Sequence, residues 1–208
     1  YLHADAVPAD YFERNRHYNG RFGVGGNVAS DQNVWSIRPN PGINRGYQGH
    51  MLRDDGRQSR TTATCGPGIY RGDQFPAEYV GDAFVPEPSA NVIAHFRMEE
   101  SETGDVRGKH TIYDDPKWEH REFIASTDER FRPVSCVTGP DGCLYVVDMY
   151  RGILQHKVYV TTFLRKQILE RGLDKPIGLG RIYRVVHEAS KPTPVLKLSD
   201  VPYAQLVA

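Results

Sequence analysis

The chain has 208 residues, 39% of them apolar and 11% aromatic, enough to bury a sizeable core. Its 26 Lys and Arg balance 26 Asp and Glu, so it carries no bulk charge signature of a nucleic-acid or membrane-surface binder, and no apolar run reaches the ~20 residues that cross a bilayer. Three cysteines, with no CxxC or CxxCH, exclude a disulfide framework, a zinc ribbon and c-type haem attachment within the chain.

The first stretch, "YLHADAVPADYF", has neither a basic nor an apolar leader region, and "GRFGVGGN" lacks the spacing of a phosphate loop and reads as a turn. Short β-rich runs then follow, separated by Gly and Pro: "NVWSIR", "DAFVPEP", "NVIAHFRM", "HREFIAS", "CLYVVDM" and "GRIYRVV". "NPGINRGYQG" puts Arg45 and Tyr47 in a Gly-rich loop that lines a cleft or turns the chain, and "LRDDGRQSRT" reads as a turn rather than a calcium loop. The scattered histidines (His3, His17, His50, His95, His110 and His120) form no ligand pair, so they are expected at the surface or locally hydrogen-bonded.

Two stretches share one grammar: an Asp-Gly or Gly-Asp turn, a strand, then a strand alternating with Arg. Such a unit, at about 40–60 residues, suits a propeller blade. The spacing predicts strands over 133–137, 143–148 and 181–186, with "GPDG" closing a hairpin that sets Cys136 and Cys143 on one face as a bridge or, preferred, as buried thiols. Between the last two strands, Val160, Phe163, Leu164, Ile168 and Leu169 follow a 3.6-residue period and stop at Gly172, predicting a helix over 159–171. After residue 187 a Pro-containing linker leads to Ser199-Asp200 and an apolar run, so 188–208 reads as a linker into a helical element and the chain as a segment of something longer.

In an extended strand Arg130 and Arg132 project to the same side, roughly 6–7 Å apart. They would clamp a polycarboxylate or pair with Asp128, Glu129 or Asp148 in a structural ion network. "VDMYRGILQH" gathers Asp148, Tyr150, Arg151 and His156 after a strand end, where loop residues meet ligands or tie the following helix to the sheet.

The runs "CGPGIYRGDQFPAEYVGDAFVPEP", "EFIASTDERFRPV", "LYVVDMYRGILQH" and "RGLDKPIGLGRIYRVV" resemble the C-terminal half of pyrroloquinoline-quinone (PQQ) dependent sugar dehydrogenases and, more closely, the bacterial "membrane-bound dehydrogenase domain" proteins. The resemblance implies an all-β fold over 1–187: a partial six-bladed β-propeller with one inserted α-helix, completed by other blades or a partner chain. It implies a quinoprotein oxidoreductase that oxidises a sugar or alcohol in the periplasm and passes electrons to a cytochrome c. Helical repeats and haem c would lie on other domains. Arg130, Arg132 and Thr64 then match cofactor-binding positions. Asn91 stands where those enzymes carry a lysine, and this departure lowers the expected cofactor affinity. Calcium ligands and the catalytic base would come from outside this chain. The alternative is a non-catalytic propeller that binds carbohydrate or a partner protein within an electron-transfer assembly.

Overall fold

In the computed structural model the described residues are 33–40, 43, 49–100, 102, 104, 106–190 and 201. Arg45, Tyr47, the 20–27 turn and nearly all of the 188–208 linker and helix expectation lie outside them. Within them the chain is built of antiparallel sheets with one α-helix. No described sheet closes on itself. No described helix is long and apolar enough to cross a membrane.

The larger sheet runs β1 (Gly68–Ile69), β2 (Ala83–Glu87), β3 (Val92–Glu100) and β4 (Val106–Thr111). A small ribbon pairs β5 (Tyr113–Asp115) with β6 (Glu119–Arg121), and β7 (Ile124–Ala125) returns to β3. The expected "HREFIAS" strand is therefore two short strands. The expected "NVWSIR" strand is reduced to one isolated bridge, Asn33 with Arg60, and a second bridge, Pro39 with Arg57, follows it. The β2–β3 connection needs a left-handed residue, and Asn91 supplies it at φ 59°, a conformation that Asn adopts more readily than most residues.

The second sheet has the order β10–β9–β8, with β8 Pro133–Thr138, β9 Leu144–Asp148 and β10 Arg181–Val185. "GPDG" closes the β8–β9 hairpin as read: Gly139 N–H donates to the Cys143 carbonyl at 2.8 Å, and Asp141 accepts from Cys143 N–H at 3.2 Å. The register nevertheless corrects the cysteine expectation. Cys136 faces Val146 and Thr138 faces Leu144, so Cys143 is offset from Cys136 by an odd step and falls on the other face. Both thiols are buried and free.

The two sheets pack through Tyr70, Phe75, Phe84, Phe131, Leu144 and Val146. The shared grammar of the sequence appears as two antiparallel neighbour pairs, β2–β3 and β9–β10. The first is joined by a tight turn. The second is joined by an excursion, residues 149–180, that carries helix α1 (Thr162–Arg171).

Helix α1 starts later than its hydrophobic period suggests. Lys157–Tyr159 form a 3-10 turn, and the Thr161 hydroxyl accepts from Leu164 N–H at 3.2 Å as the N-cap. Gly172, at φ 59° and ψ 41°, is the left-handed C-cap. Leu164 and Ile168 bury against Leu173, whereas Leu169 is 62% exposed, so the apolar stripe is narrower than the period implied.

Candidate functional site

The two arginines precede β8 rather than lie in it, in a turn closed by Phe131 N–H donating to the Asp128 carbonyl at 3.1 Å. Both reach the β9–β10 excursion, but their acceptors are backbone carbonyls. Arg130 Nη2 donates to Gly172 O at 3.1 Å and Lys175 O at 2.9 Å, the carbonyls at the helix end. Arg132, 8% exposed, donates through Nε to Arg151 O at 3.1 Å and through Nη2 to Gly152 O at 3.1 Å. Its Nη1 turns the other way, to Pro88 O at 2.6 Å and Ser89 O at 3.4 Å in the β2–β3 turn. The guanidinium thus staples the two sheets' connections together. Burial, and then the nearby Arg38 charge, bring its pKa down to about 10.

Carboxylates serve this turn differently from the expected ion network. Asp148 Oδ1 accepts the backbone N–H groups of Arg132 and Tyr150, both at 2.7 Å, and Asp128 accepts from Arg130 N–H at 2.9 Å and Tyr150 O–H at 2.8 Å. Glu129 bridges Arg38 (3.5 Å) and Arg171 instead. Tyr150, at φ 45°, also lies under the Arg181 guanidinium, 3.5 Å from its ring centre.

Asn91 is fully buried and holds the same region from beneath. Its Oδ1 accepts from Arg38 Nε at 3.1 Å and Nη2 at 2.8 Å, and its Nδ2 donates to Phe131 O at 2.6 Å. Thr64 is exposed. A cavity of about 260 Å³ opens beside Arg132, with Thr62, Ser89, Leu154 and Gln155 among its walls, while Arg130, Thr64 and Asn91 are not. Across Leu154–Gln155 a second cavity of about 420 Å³ is lined by Arg151, His156 and Lys157.

Of the positions matched to quinone binding, Arg132 lines the first cavity, and its Nε, Nη1 and Nη2 all donate to carbonyls. Among the described residues, no group of three or more His, Cys, Asp or Glu could hold a metal ion.

Residue-level reading of the sequence passed over Glu87 and set His95 among the histidines expected at the surface or locally hydrogen-bonded. Glu87, buried behind the first cavity, accepts from Ala63 N–H at 3.0 Å and from the Ser89 hydroxyl; burial pushes its pKa up. His95 is 1% exposed inside the large sheet and is engaged on both nitrogens, by Asp82 and Tyr113. In "VIAHFRM" it occupies a position in the buried half of the strand, and that burial is the signal that marks it.

Comparison with curated proteins and with solved structures finds no match. The comparison with protein families does: residues 3–189 match a domain of unknown function, and the chain belongs to that family, DUF7133.

Proposed function

We propose that this chain is part of a β-propeller of the quinoprotein sugar dehydrogenase type that acts as a binding module, not as the quinone-holding part of an enzyme. The observation that carries this reading is the use made of Arg130 and Arg132. Their donors go to the carbonyls of Gly172, Lys175, Arg151 and Gly152, so the pair anchors the helix-bearing excursion. The anchored segment supplies Leu154 and Gln155 to the cavity beside Arg132 and Arg151 and His156 to its neighbour. Hydroxyls and an amide around about 260 Å³, with the positive charge of the carbonyl-bound Arg132 beside them, suit one small carboxylated, polyhydroxylated molecule of the sugar-acid class.

A second reading keeps the oxidoreductase: PQQ, calcium from other blades, a sugar or alcohol substrate and a periplasmic cytochrome c as electron acceptor. It is favoured by one observation, that the buried Arg132 guanidinium faces that cavity with only carbonyls as direct partners among the described residues. The full-length protein, titrated calorimetrically with glucuronate and spectroscopically with PQQ plus calcium, separates the two. Saturable glucuronate binding without a PQQ band supports the binding module. Stoichiometric PQQ binding lost in Arg132→Ala at unchanged fold overturns it.

A further inference from the structure

The second cavity, about 420 Å³, lies within the helix-bearing excursion and within the size range of small-molecule sites, ~300–1,000 Å³. Its walls come from two stretches of the excursion, residues 151–157 and residues 173, 174, 176 and 177. Each stretch is held by one arginine. Arg132 binds the carbonyls of Arg151 and Gly152, and Arg130 binds those of Gly172 and Lys175. The stretches also meet directly, because a Cβ on Gly152 would run into the Leu173 carbonyl oxygen. The cavity is therefore a preformed space on a fixed frame.

Its charged side chains are those the fold leaves unused. Among the described residues, every other arginine that is buried or half-buried has an interaction partner for its side chain. The half-buried Arg151 has none for its guanidinium; only its carbonyl is engaged, by Arg132. Lys157 makes no ion pair among the described residues, and the His156 ring meets Tyr159 edge to face at 6.4 Å. Asp174 is the one carboxylate of the lining, so positive charge is in excess. Arg130 and Arg132 add theirs, since their guanidiniums bind carbonyls and make no direct ion pair among the described residues.

The donor set narrows the ligand. A guanidinium fork, an ammonium and an imidazole offer more donors than the two oxygens of a carboxylate can occupy, whereas a phosphate monoester brings three strong acceptor oxygens and nearly two negative charges. Asp174 only accepts, so beside a bound anion it serves a hydroxyl. Ile153, Leu173 and Ile177 leave the rest of the lining apolar.

From this arrangement we infer that the second cavity binds a phosphorylated polyol of the sugar-phosphate class, its phosphate on Arg151, His156 and Lys157 and a hydroxyl on Asp174. Leu154 and Gln155 are the residues it shares with the first cavity, and Arg132 serves it only by holding its backbone. The assignment therefore stands whether or not glucuronate or PQQ binds at the first.

The test is calorimetric titration of the full-length protein with glucose 6-phosphate, with inorganic phosphate and glucose as controls. Saturable binding of glucose 6-phosphate is expected, at least about tenfold tighter than either control. Arg151→Gln removes the charge and keeps the carbonyl that Arg132 holds, so the melting temperature should stay within about 2 °C of the parent while affinity falls at least about tenfold. Lys157→Gln, at an exposed side chain, should also weaken binding several-fold and carries the test if Arg151→Gln does not fold. Excess glucuronate should leave the affinity for glucose 6-phosphate unchanged. No saturation by glucose 6-phosphate, a control bound as tightly, parent-like affinity in the folded variants, or displacement by glucuronate would each overturn the assignment.

Discussion

Replacing Arg132 by Ala removes donors from four carbonyls, those of Pro88, Ser89, Arg151 and Gly152. A hydrogen bond to a charged group contributes roughly 1.5–3 kcal/mol singly, but such bonds share one side chain and do not add. Breaking a buried charged cluster costs about 3–5 kcal/mol, and removing the guanidinium also relieves its own desolvation, so a net loss of about 3 kcal/mol is expected. At roughly 2–4 °C per kcal/mol for a chain of this size, the melting temperature should fall by about 6–12 °C. The fall should come with earlier proteolytic cutting within 149–180, because the excursion loses its tie to the β2–β3 turn. Arg132→Lys should recover only part of the loss, since one ammonium cannot span carbonyls on both sides. A melting temperature within 2 °C of the parent, with unchanged cutting in the excursion, would refute the staple.

Gly152→Ala should be as damaging as Arg132→Ala in thermal melts, because a Cβ there runs into the Leu173 backbone carbonyl, which has no room to give. Gly172→Ala faces open space and should cost only about 1 kcal/mol through its positive φ, read as a melting-point drop of a few degrees. Without reductant, a thiol reagent should titrate Cys65 in the native protein and all three cysteines after denaturation. Cys136 is buried with its pKa pushed up to about 12, and a missing thiol would reveal a bridge. Burial raises the folded-state pKa of Glu87, so the fold binds more protons there than the unfolded chain does. Its contribution to stability is fully present below the ordinary glutamate pKa and is lost as pH rises through the folded value. Glu87→Gln should flatten that slope in melts taken across pH, and an unchanged slope would assign it to another group.

The second sheet was legible because each of its signals is local. Alternation in "CLYVVDM" and "RIYRVV" marks the strands, "GPDG" closes the hairpin, and Gly172 stops the helix. The pairing of Arg130 with Arg132 was legible as a motif, although both precede β8 and do not lie in a strand. Their acceptors were not, because every residue type carries a backbone carbonyl and the letters do not reveal which one comes within reach. The same limit hid the Cys136–Cys143 offset, which depends on the number of residues in the turn and not on the strands. It hid the Asp82–His95–Tyr113 chain as well, where β2, β3 and β5 bring together residues whose spacing in the sequence follows no motif.

The chain leaves β9 at Asp148 and rejoins the sheet at Arg181, and these two residues face each other across the ladder. The excursion between them is thus a side branch whose two ends are held one strand spacing apart, about 5 Å. Exchanging it for a short turn would leave every register in the β10–β9–β8 sheet as it is. The arginines, however, would then be buried or half-buried cations stripped of the carbonyls of residues 151, 152, 172 and 175. The branch and the Arg130–Arg132 pair therefore form one transferable unit: a shortened relative should have lost both together, and a graft of the branch onto another antiparallel sheet would need both arginines to come with it.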